Sequence, residues 1–188
     1  MPTALVIGGT SFLGRHLTAL LQRQNTRVVS TSRRPGLQGA VRCDIRDRQR
    51  VFEVVRAVQP DWVFNCAAET SWPISALECY RTHVLGTLHL LQAIRSNVRT
   101  ARTVLFGSAA EYGSVPASSL PIVENQLTEP LSIFGTSKLA QTELARQAAT
   151  EWNLRLIVVR PFNIVGPGQG EQYLASRLIQ RLRNEHNP

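Results

Sequence analysis

The chain has 188 residues, of which 43% are hydrophobic, and this is enough for one sizeable buried core and excludes a disordered or fibrous protein. Its formal net charge of +8 suggests nucleic acid as a ligand. The charge comes almost entirely from arginines spread along the chain, without a basic run interleaved with aromatic residues, so we expect a phosphorylated small molecule rather than nucleic acid.

The sequence after Met1 does not match a leader peptide, because basic, apolar and small-residue segments do not follow one another. Since no apolar stretch is long enough to span a membrane, we expect a cytoplasmic protein without membrane contact. Cys43, Cys66 and Cys79 lack the spacing of metal ligands and lie in apolar sequence. They are expected to be reduced structural thiols, and no metal site is predicted.

Short apolar runs alternate with amphipathic stretches along the chain. This alternation predicts an α/β fold with a doubly wound parallel sheet and helices on both faces. No repeat or linker divides the chain, so we expect a single domain over residues 1–188. The predicted elements are, in order, strand 4–9, helix 12–24, strands 27–32 and 40–45, helix 48–58, strand 61–68, helix 74–96, strand 102–108, helix 137–152, strand 154–162 and helix 172–184.

The first strand runs into a glycine-rich turn, GGTSFLG, at residues 8–14. Ligands of doubly wound sheets bind at the carboxyl ends of the strands. Glycines in such a turn let backbone N–H groups approach a diphosphate, and the following helix presents the positive end of its dipole. The same glycines also suit a turn that needs only positive φ, so the turn favours a phosphate site without requiring one.

Several motifs occur together in the order known from one family. The stretch VIGGTSFLG resembles the Gly-x-x-Gly-x-x-Gly fingerprint of the extended short-chain dehydrogenases/reductases, the NAD(P)-dependent epimerase/dehydratase family. Further stretches match that family in order and span nearly the whole chain: CDIRD, VFNCAA, THVLGTLHLLQAI, GSAAEYG, FGTSK and RPFNIVGPGQ. GSAAEYG and RPFNIVGPGQ are most similar to the branch that acts on GDP-linked deoxyhexoses, the GDP-4-keto-6-deoxy-mannose reductases and GDP-mannose dehydratases.

The resemblance implies a Rossmann-type NAD(P)-binding domain over residues 1–188, with the substrate-binding region starting at about residue 160. Family members continue into a further lobe, so most of the C-terminal substrate lobe is expected to be absent from this chain. The helix predicted at residues 74–96 resembles half of the family's dimer bundle, which implies a homodimer. His83 stands where the family usually has Asn, and we expect it in the core or at the interface.

The resemblance also implies a cofactor site that favours NADP. At the end of the second strand the sequence offers Ser32, Arg33 and Arg34 and no acidic residue for a ribose 2′-hydroxyl. Guanidinium groups suit a 2′-phosphate, so NADP is expected rather than NAD, with two solvated arginines as the alternative. Ser11 replaces the usual middle glycine, and its Oγ is expected to be available to a phosphate. The remaining implied contacts are Gly8, Thr10, Phe12 and Leu13 at the diphosphate, Asp44 and Ile45 at the adenine, Ala67 and Ala68 beneath the cofactor, Lys138 and Pro161 as further cofactor contacts, and Asn163 at the substrate diphosphate.

Catalysis in this family uses a Ser or Thr, a Tyr and a Lys. The resemblance places Ser108 where a hydroxyl hydrogen-bonds the substrate carbonyl. It places Lys138 where an ammonium group binds the nicotinamide ribose and lowers the pKa of the tyrosine. The tyrosine position itself holds Phe134, which has no hydroxyl and neither donates nor accepts a proton. Loss of a positioned acid or base typically lowers a rate by about 10²–10⁴.

Three interpretations of this replacement are open. Another group supplies the proton, or the chain binds cofactor and nucleotide sugar without turnover, or the reaction needs less acid assistance, as in an elimination driven by the cofactor's redox change. The candidate proton donors are Tyr112, which we include among the catalytic residues, Glu111, Ser137, Thr136 and a water held by Ser108 and Lys138. We therefore expect an NADP(H)-dependent reductase, epimerase or dehydratase acting on a nucleotide-activated sugar, with a non-catalytic NAD(P)-binding protein as the alternative.

Overall fold

The computed structural model describes residues 1–36, 39–70 and 73–185. Within this part of the chain, six strands pair in parallel to form one sheet. The strands are β1 (Thr3–Ile7), β2 (Arg27–Ser32), β3 (Ala40–Arg42), β4 (Trp62–Asn65), β5 (Arg102–Phe106) and β6 (Arg155–Val159). Their order is β3-β2-β1-β4-β5-β6, so the chain winds outward from β1 in both directions. The predicted doubly wound α/β sheet of Rossmann type is confirmed.

Helices connect the strands and cover the sheet. The described helices are α1 (Phe12–Arg23), α2 (Arg48–Val58), α3 (Ala76–Cys79), α4 (Gly86–Asn97), α5 (Ile133–Trp152) and α6 (Leu174–Glu185), with a π-helical turn at Tyr80–Leu85 and short 3-10 turns at Ala109–Glu111 and Ala117–Ser119. α1 packs on β1 and β2, and α2 packs on α4. In the described ranges, no helix combines the length and apolar character needed to cross a bilayer.

The core is centred on β1. Ala4, Leu5, Val6 and Ile7 are each at most 1% exposed, as expected for a parallel strand that is covered on both faces. Leu5 and Ile7 belong to an apolar cluster with residues of α2, α4 and α5. Since side chains alternate along a strand, Ala4 and Val6 are buried on the opposite face, where α1 packs.

The helix predicted at residues 74–96 is interrupted by the π-helical turn at Tyr80–Leu85. A π turn adds a single residue, so apolar periodicity does not distinguish it from a continuous α-helix. α5 begins at Ile133 rather than at residue 137 because Ser132 caps it, its Oγ accepting from the N–H of Gly135 at 3.0 Å. Phe134 therefore lies on the same helix as Lys138, one turn earlier.

Several strands end earlier than predicted. β4 ends at Asn65 and β5 at Phe106, and the residues that follow leave the ladder as loops. β6 ends at Val159, two residues before Pro161, which has no N–H to donate to a ladder. These loops extend from the carboxyl edge of the sheet, where the predicted site residues are concentrated.

Candidate active site

A cleft runs along the carboxyl edge of the sheet. It consists of two adjoining cavities of about 720 Å³ and about 600 Å³, which share Ser11, Cys66, Ala67 and Ala68 as lining residues. Among the residues predicted from the sequence, the larger cavity is lined by Gly8, Thr10, Ser11, Ser32, Arg33, Arg34, Asp44, Ile45, Ala67 and Ala68. The smaller cavity is lined by Ser11, Phe12, Leu13, Ala67, Ala68, Ser108, Phe134, Lys138, Pro161 and Asn163.

The glycine turn forms the middle of this cleft. Gly8 has a φ of +72°, and a Cβ there would lie 2.9 Å from the backbone N of Ala67. A Cβ at Gly14 would lie 2.3 Å from the carbonyl oxygen of Gly8, so the start of α1 packs directly against the turn. Ser11 caps α1, with its Oγ accepting from the N–H of Gly14 at 3.1 Å and its own hydrogen left for donation. This cradle suits the diphosphate of a dinucleotide.

At one end of the cleft, Arg33 reaches from the end of β2 to Glu69 beyond the end of β4. Their ion pair measures 3.3 Å, with the Arg33 side chain 53% exposed and that of Glu69 9% exposed. Ser32 organises this corner, because its Oγ accepts from Thr10 Oγ1 at 3.2 Å and from the N–H of Arg34 at 3.1 Å. Glu69 was not identified from the sequence, and it competes with any phosphate that Arg33 binds.

Asp44, expected at the adenine, is already held by Arg46. The Arg46 Nη2 atom lies 2.6 Å from Asp44 Oδ2, and Arg46 Nη1 also pairs with Glu78. Burial raises the pKa of Asp44, but the hydrogen bonds from Arg46 outweigh it and the pKa falls below its usual value. The carboxylate is thus charged, and both of its oxygens already accept hydrogen bonds from Arg46.

At the other end of the cleft, Lys138 is almost fully buried, with 3% of its surface exposed. Its Nζ donates to the carbonyl oxygen of Phe106 at 2.5 Å and to Gln141 Oε1. Burial lowers the pKa of Lys138 to about 8. Ser108 lines the same cavity, and its Oγ accepts from the N–H of Ala110 at 3.1 Å, which leaves the hydroxyl hydrogen for a ligand.

Two of the candidate proton donors are occupied elsewhere. Glu111 is fully buried, pairs with Arg160 at 2.7 Å and accepts from the N–H of Ser108 at 2.8 Å. The hydroxyl of Tyr112 accepts from Arg160 Nη1 at 3.4 Å, and its ring stacks on Phe162 with centroids 6.3 Å apart. Neither residue lines the cleft. The structure thus places Glu111 and Tyr112 in a buried cluster behind Ser108.

Ser137 and Thr136 also point away from the cleft. Ser137 Oγ donates to the carbonyl oxygen of Phe134 at 2.8 Å and accepts from His83 Nδ1 at 2.8 Å. His83 Nε2 accepts from the N–H of Glu69 at 3.0 Å, so the neutral ring carries its hydrogen on Nδ1. Burial, with the charge of Lys138 adding to it, lowers the pKa of His83 to about 3. Thr136 Oγ1 donates within its own helix, to the carbonyl oxygen of Ser132 at 3.0 Å.

Phe134 itself forms part of the cleft wall. Its ring packs against the edge of His83, with centroids 5.5 Å apart and an interplanar angle of 89°. The phenyl group is therefore well supported in place. His83, which is 0% exposed, lies in the core and holds this ring from behind.

The segment after β6 closes one side of the cleft. Arg15 of α1 donates to the carbonyl oxygen of Gly168, and His16 Nε2 lies 3.0 Å from that of Pro167. Asn163, expected at a substrate diphosphate, belongs to this segment and lines the smaller cavity. In residues 1–36, 39–70 and 73–185, no three His, Cys, Asp or Glu side chains form a group that could hold a metal ion.

The polar residues behind Lys138 were missed from the sequence. Gln141 Nε2 donates to Thr87 Oγ1 at 2.8 Å, and Asn65 Nδ2 donates to the same oxygen at 3.2 Å. All of these side chains are at most 1% exposed. Gln141 follows Lys138 by three positions on a predicted helix, so a polar residue on the buried face of that helix was the available signal.

Comparisons with known proteins bear on this site. The sequence model of the NAD dependent epimerase/dehydratase family matches residues 4–187. The GDP-6-deoxy-D-mannose reductase of Pseudomonas aeruginosa is 31% identical over 184 residues, which cover 95% of this chain and 58% of that protein. The chain therefore spans less than two thirds of the length of this relative.

Two solved structures show the same fold. The structure of RMD from Pseudomonas aeruginosa in complex with NADPH is 27% identical, with a TM-score of 0.83, and the match covers 100% of this chain and 64% of that one. The UDP-glucose 4-epimerase of Brucella ovis in complex with NAD is 31% identical, with a TM-score of 0.76, covering 87% of this chain and 52% of that one.

Proposed function

The chain belongs to the NAD dependent epimerase/dehydratase family, within the extended short-chain dehydrogenases/reductases, and we propose that it uses a bound nicotinamide dinucleotide for redox chemistry on a nucleotide-activated sugar. The observation that carries this proposal is one continuous cleft, with the glycine turn in its middle and Ser108 and Lys138 at one end. A cradle for a diphosphate and a hydrogen-bonding site for a carbonyl group therefore lie along the same sheet edge.

The side chains of the cleft have distinct tasks in this proposal. When bound, the cofactor supplies or accepts a hydride at a sugar carbon. The glycine turn and the N-terminus of α1 hold its diphosphate, and the small Ala67 leaves room for it across β4. Ser108 donates a hydrogen bond to the sugar carbonyl, which stabilises negative charge as it develops on the oxygen. Lys138 supplies an ammonium group at the reacting end of the cleft, and Phe134 forms the apolar wall beside it.

We infer NADP rather than NAD as the cofactor. The end of β2 supplies Arg33 and Arg34, both exposed and both on the wall of the larger cavity. Two guanidinium groups stabilise a 2′-phosphate by charge-assisted hydrogen bonds. Arg33 has to exchange Glu69 for that phosphate, so the pair sets the difference in affinity between NADPH and NADH.

The proposed substrate is a GDP-linked 4-keto-6-deoxy sugar. This choice is supported by the similarity to the GDP-6-deoxy-D-mannose reductase and by Asn163, whose amide can donate to a substrate diphosphate from the wall of the smaller cavity.

Binding and turnover test this function separately. NADPH is titrated by its fluorescence, and its consumption is then followed with a panel of GDP-, dTDP- and UDP-linked 4-keto sugars. The proposal expects saturable NADPH binding and consumption with at least one GDP-linked sugar. Absence of NADPH binding contradicts the proposed function altogether.

Phe134 favours one second candidate, a protein that binds cofactor and nucleotide sugar without turnover. It predicts tight NADPH binding, no consumption with any sugar of the panel, and consumption only after Phe134→Tyr. Consumption by the wild-type chain excludes it.

A further inference from the structure

Phe134 brings no hydroxyl to the cleft, but other side chains that line the cleft are titratable. In the described part of the chain, three line the smaller cavity: Cys66, Lys138 and Tyr173. Burial raises the pKa of the Cys66 thiol to about 12, so this thiol holds its proton tightly. Tyr173 comes from the segment that precedes α6 and is 39% exposed. Lys138 shares one face of α5 with Phe134 and faces the same space.

Lys138 is bound only by neutral acceptors. Its two hydrogen bonds go to the carbonyl oxygen of Phe106 and to Gln141 Oε1, and no described carboxylate lies within ion-pair distance of its Nζ. An ammonium group has three hydrogens, so one is left for a ligand in the cleft. The charge of Lys138 is buried without a direct counterion. Burial therefore favours the neutral amine and lowers the pKa of Lys138 to about 8.

The charged and titratable groups around Lys138 come from four elements. Glu111 of the 3-10 turn raises the pKa of Lys138, but its carboxylate is committed to Arg160 at 2.7 Å. Cys66 after β4 and Cys79 of α3 are neutral thiols, because burial raises the pKa of each, and His83 in the π-helical turn is also neutral. Burial outweighs these groups.

A buried chain of amides fixes the acceptor of Lys138. Asn65 Oδ1 accepts from the backbone N–H of Ala67 at 3.2 Å, so its Nδ2 is directed to Thr87 Oγ1. Gln141 Nε2 donates to the same Thr87 oxygen at 2.8 Å, and its Oε1 must then face the ammonium group, which only donates. The backbone N–H of Ala67 at one end and the Lys138 ammonium group at the other thus determine the orientations of the Asn65 and Gln141 side-chain amides.

We propose, on the basis of the function proposed above, that Lys138 itself delivers the proton to the carbonyl oxygen of the bound sugar, with Gln141 as its positioning residue. The carbonyl carbon accepts the hydride that the reduced nicotinamide supplies, and the C=O π bond breaks. Its electron pair moves to the oxygen, which takes a proton from Lys138 Nζ. Lys138 is left as a neutral amine and recovers a proton from water, and in the oxidative direction the same atoms run in reverse.

The sequence offers a direct readout of this proton, because Lys138 is the only lysine in the chain. Protein labelled with [ε-¹³C]lysine gives one lysine signal, whose chemical shift is followed against pH by NMR. We expect a titration midpoint near pH 8. Gln141→Glu places a carboxylate at the same distance and raises the midpoint, whereas Gln141→Met removes the acceptor and lowers it.

The rate of single-turnover reduction of a GDP-linked 4-keto sugar by NADPH is then measured against pH and compared with the NMR titration of Lys138. The protonated amine is the donor, so the rate falls about tenfold for each pH unit above the Lys138 midpoint. The falling limb moves to higher pH in Gln141→Glu and to lower pH in Gln141→Met, in step with the NMR midpoint. Tyr173→Phe, the matched control for a second donor, retains the wild-type limb.

Two results for Lys138 overturn the inference while turnover persists: a lysine midpoint near its ordinary 10.5, or a falling limb of the rate that stays in place when the midpoint moves. Loss of the limb in Tyr173→Phe also overturns it and assigns the proton to Tyr173. Bound NADPH without turnover at any pH contradicts the proposed function together with this inference, so the two failures are distinguishable.

Discussion

Phe134 differs from a tyrosine by a single oxygen atom. The side chains around Phe134 determine which other group can supply a proton to a ligand. Four candidate proton donors make hydrogen bonds or ion pairs with partners away from the cleft: Ser137, Thr136, Glu111 and Tyr112. Ser108 and Lys138 line the cleft. The choice among proton donors, which spacing in the sequence leaves open, is narrowed by the directions of these hydrogen bonds.

Phe134→Tyr is expected to raise the rate of sugar reduction, because it adds a second positioned acid beside Lys138, whose positive charge lowers the pKa of the new hydroxyl. The rate is measured under single turnover with saturating NADPH. Phe134→Leu is the control, which alters the ring without adding a hydroxyl and is expected to give no increase. An equal rate in wild type and Phe134→Tyr would mean that the proton transfer does not limit the reaction.

Arg33 and Glu69 predict how the cofactor is selected. Glu69→Gln removes the competing carboxylate and is expected to tighten NADPH binding more than NADH binding.

Arg33→Met is expected to weaken NADPH binding by about 10- to 100-fold, the effect of losing a charge-assisted hydrogen bond of about 1.5–3 kcal/mol. Fluorescence titrations give both Kd values. Arg23→Met, an exposed arginine in the last turn of α1, is the control for net charge, and equal losses for NADPH and NADH would contradict this role of Arg33.

Among the elements of the fold, α1 approaches the glycine turn so closely that the backbone of the turn leaves no room for a side chain at Gly14. Gly14→Ala places a Cβ 2.3 Å from the carbonyl oxygen of Gly8. We expect a loss of about 1–3 kcal/mol in the free energy of unfolding, measured with urea, and weaker NADPH binding. At Gly166 the nearest atom is Phe12 Cζ at 3.4 Å, so Gly166→Ala is the matched control. Equal stability of the two variants would show that α1 can move away from the turn.

The order of the elements was predictable, but their side-chain partners were not. The apolar runs alternate with amphipathic helices, and parallel strands place their carboxyl ends on one edge, so the lining of the cleft follows from Gly8, Arg33 and Lys138 in the sequence. Glu69 pairs with Arg33 of another element, and Gln141 makes buried hydrogen bonds to Lys138 and Thr87. Local periodicity carries no information about such pairs, and it also missed the π-helical turn at Tyr80–Leu85.

For the whole molecule, we propose that α3 and the following π-helical turn form a homodimer contact. Leu77, Tyr80 and Leu85 are 58%, 41% and 48% exposed there, an apolar surface along one helical segment. Leu85→Arg is expected to convert a dimer into a monomer, with light scattering after gel filtration as the measurement. Leu20→Arg, which also introduces a charge at a leucine exposed on α1, is the control. A wild-type monomer at all concentrations would contradict the proposed dimer.

Redox catalysis in the cleft requires that a hydride pass from the bound nicotinamide to the sugar. The wild-type chain is incubated with NADPH that carries deuterium at the transferable position of the nicotinamide, together with GDP-linked 4-keto-6-deoxy sugars, and the sugar products are analysed by mass spectrometry. We expect one deuterium at the former carbonyl carbon of a GDP-linked sugar. Bound NADPH with no deuterium in any sugar would contradict redox catalysis in this cleft and leave a cofactor-binding role.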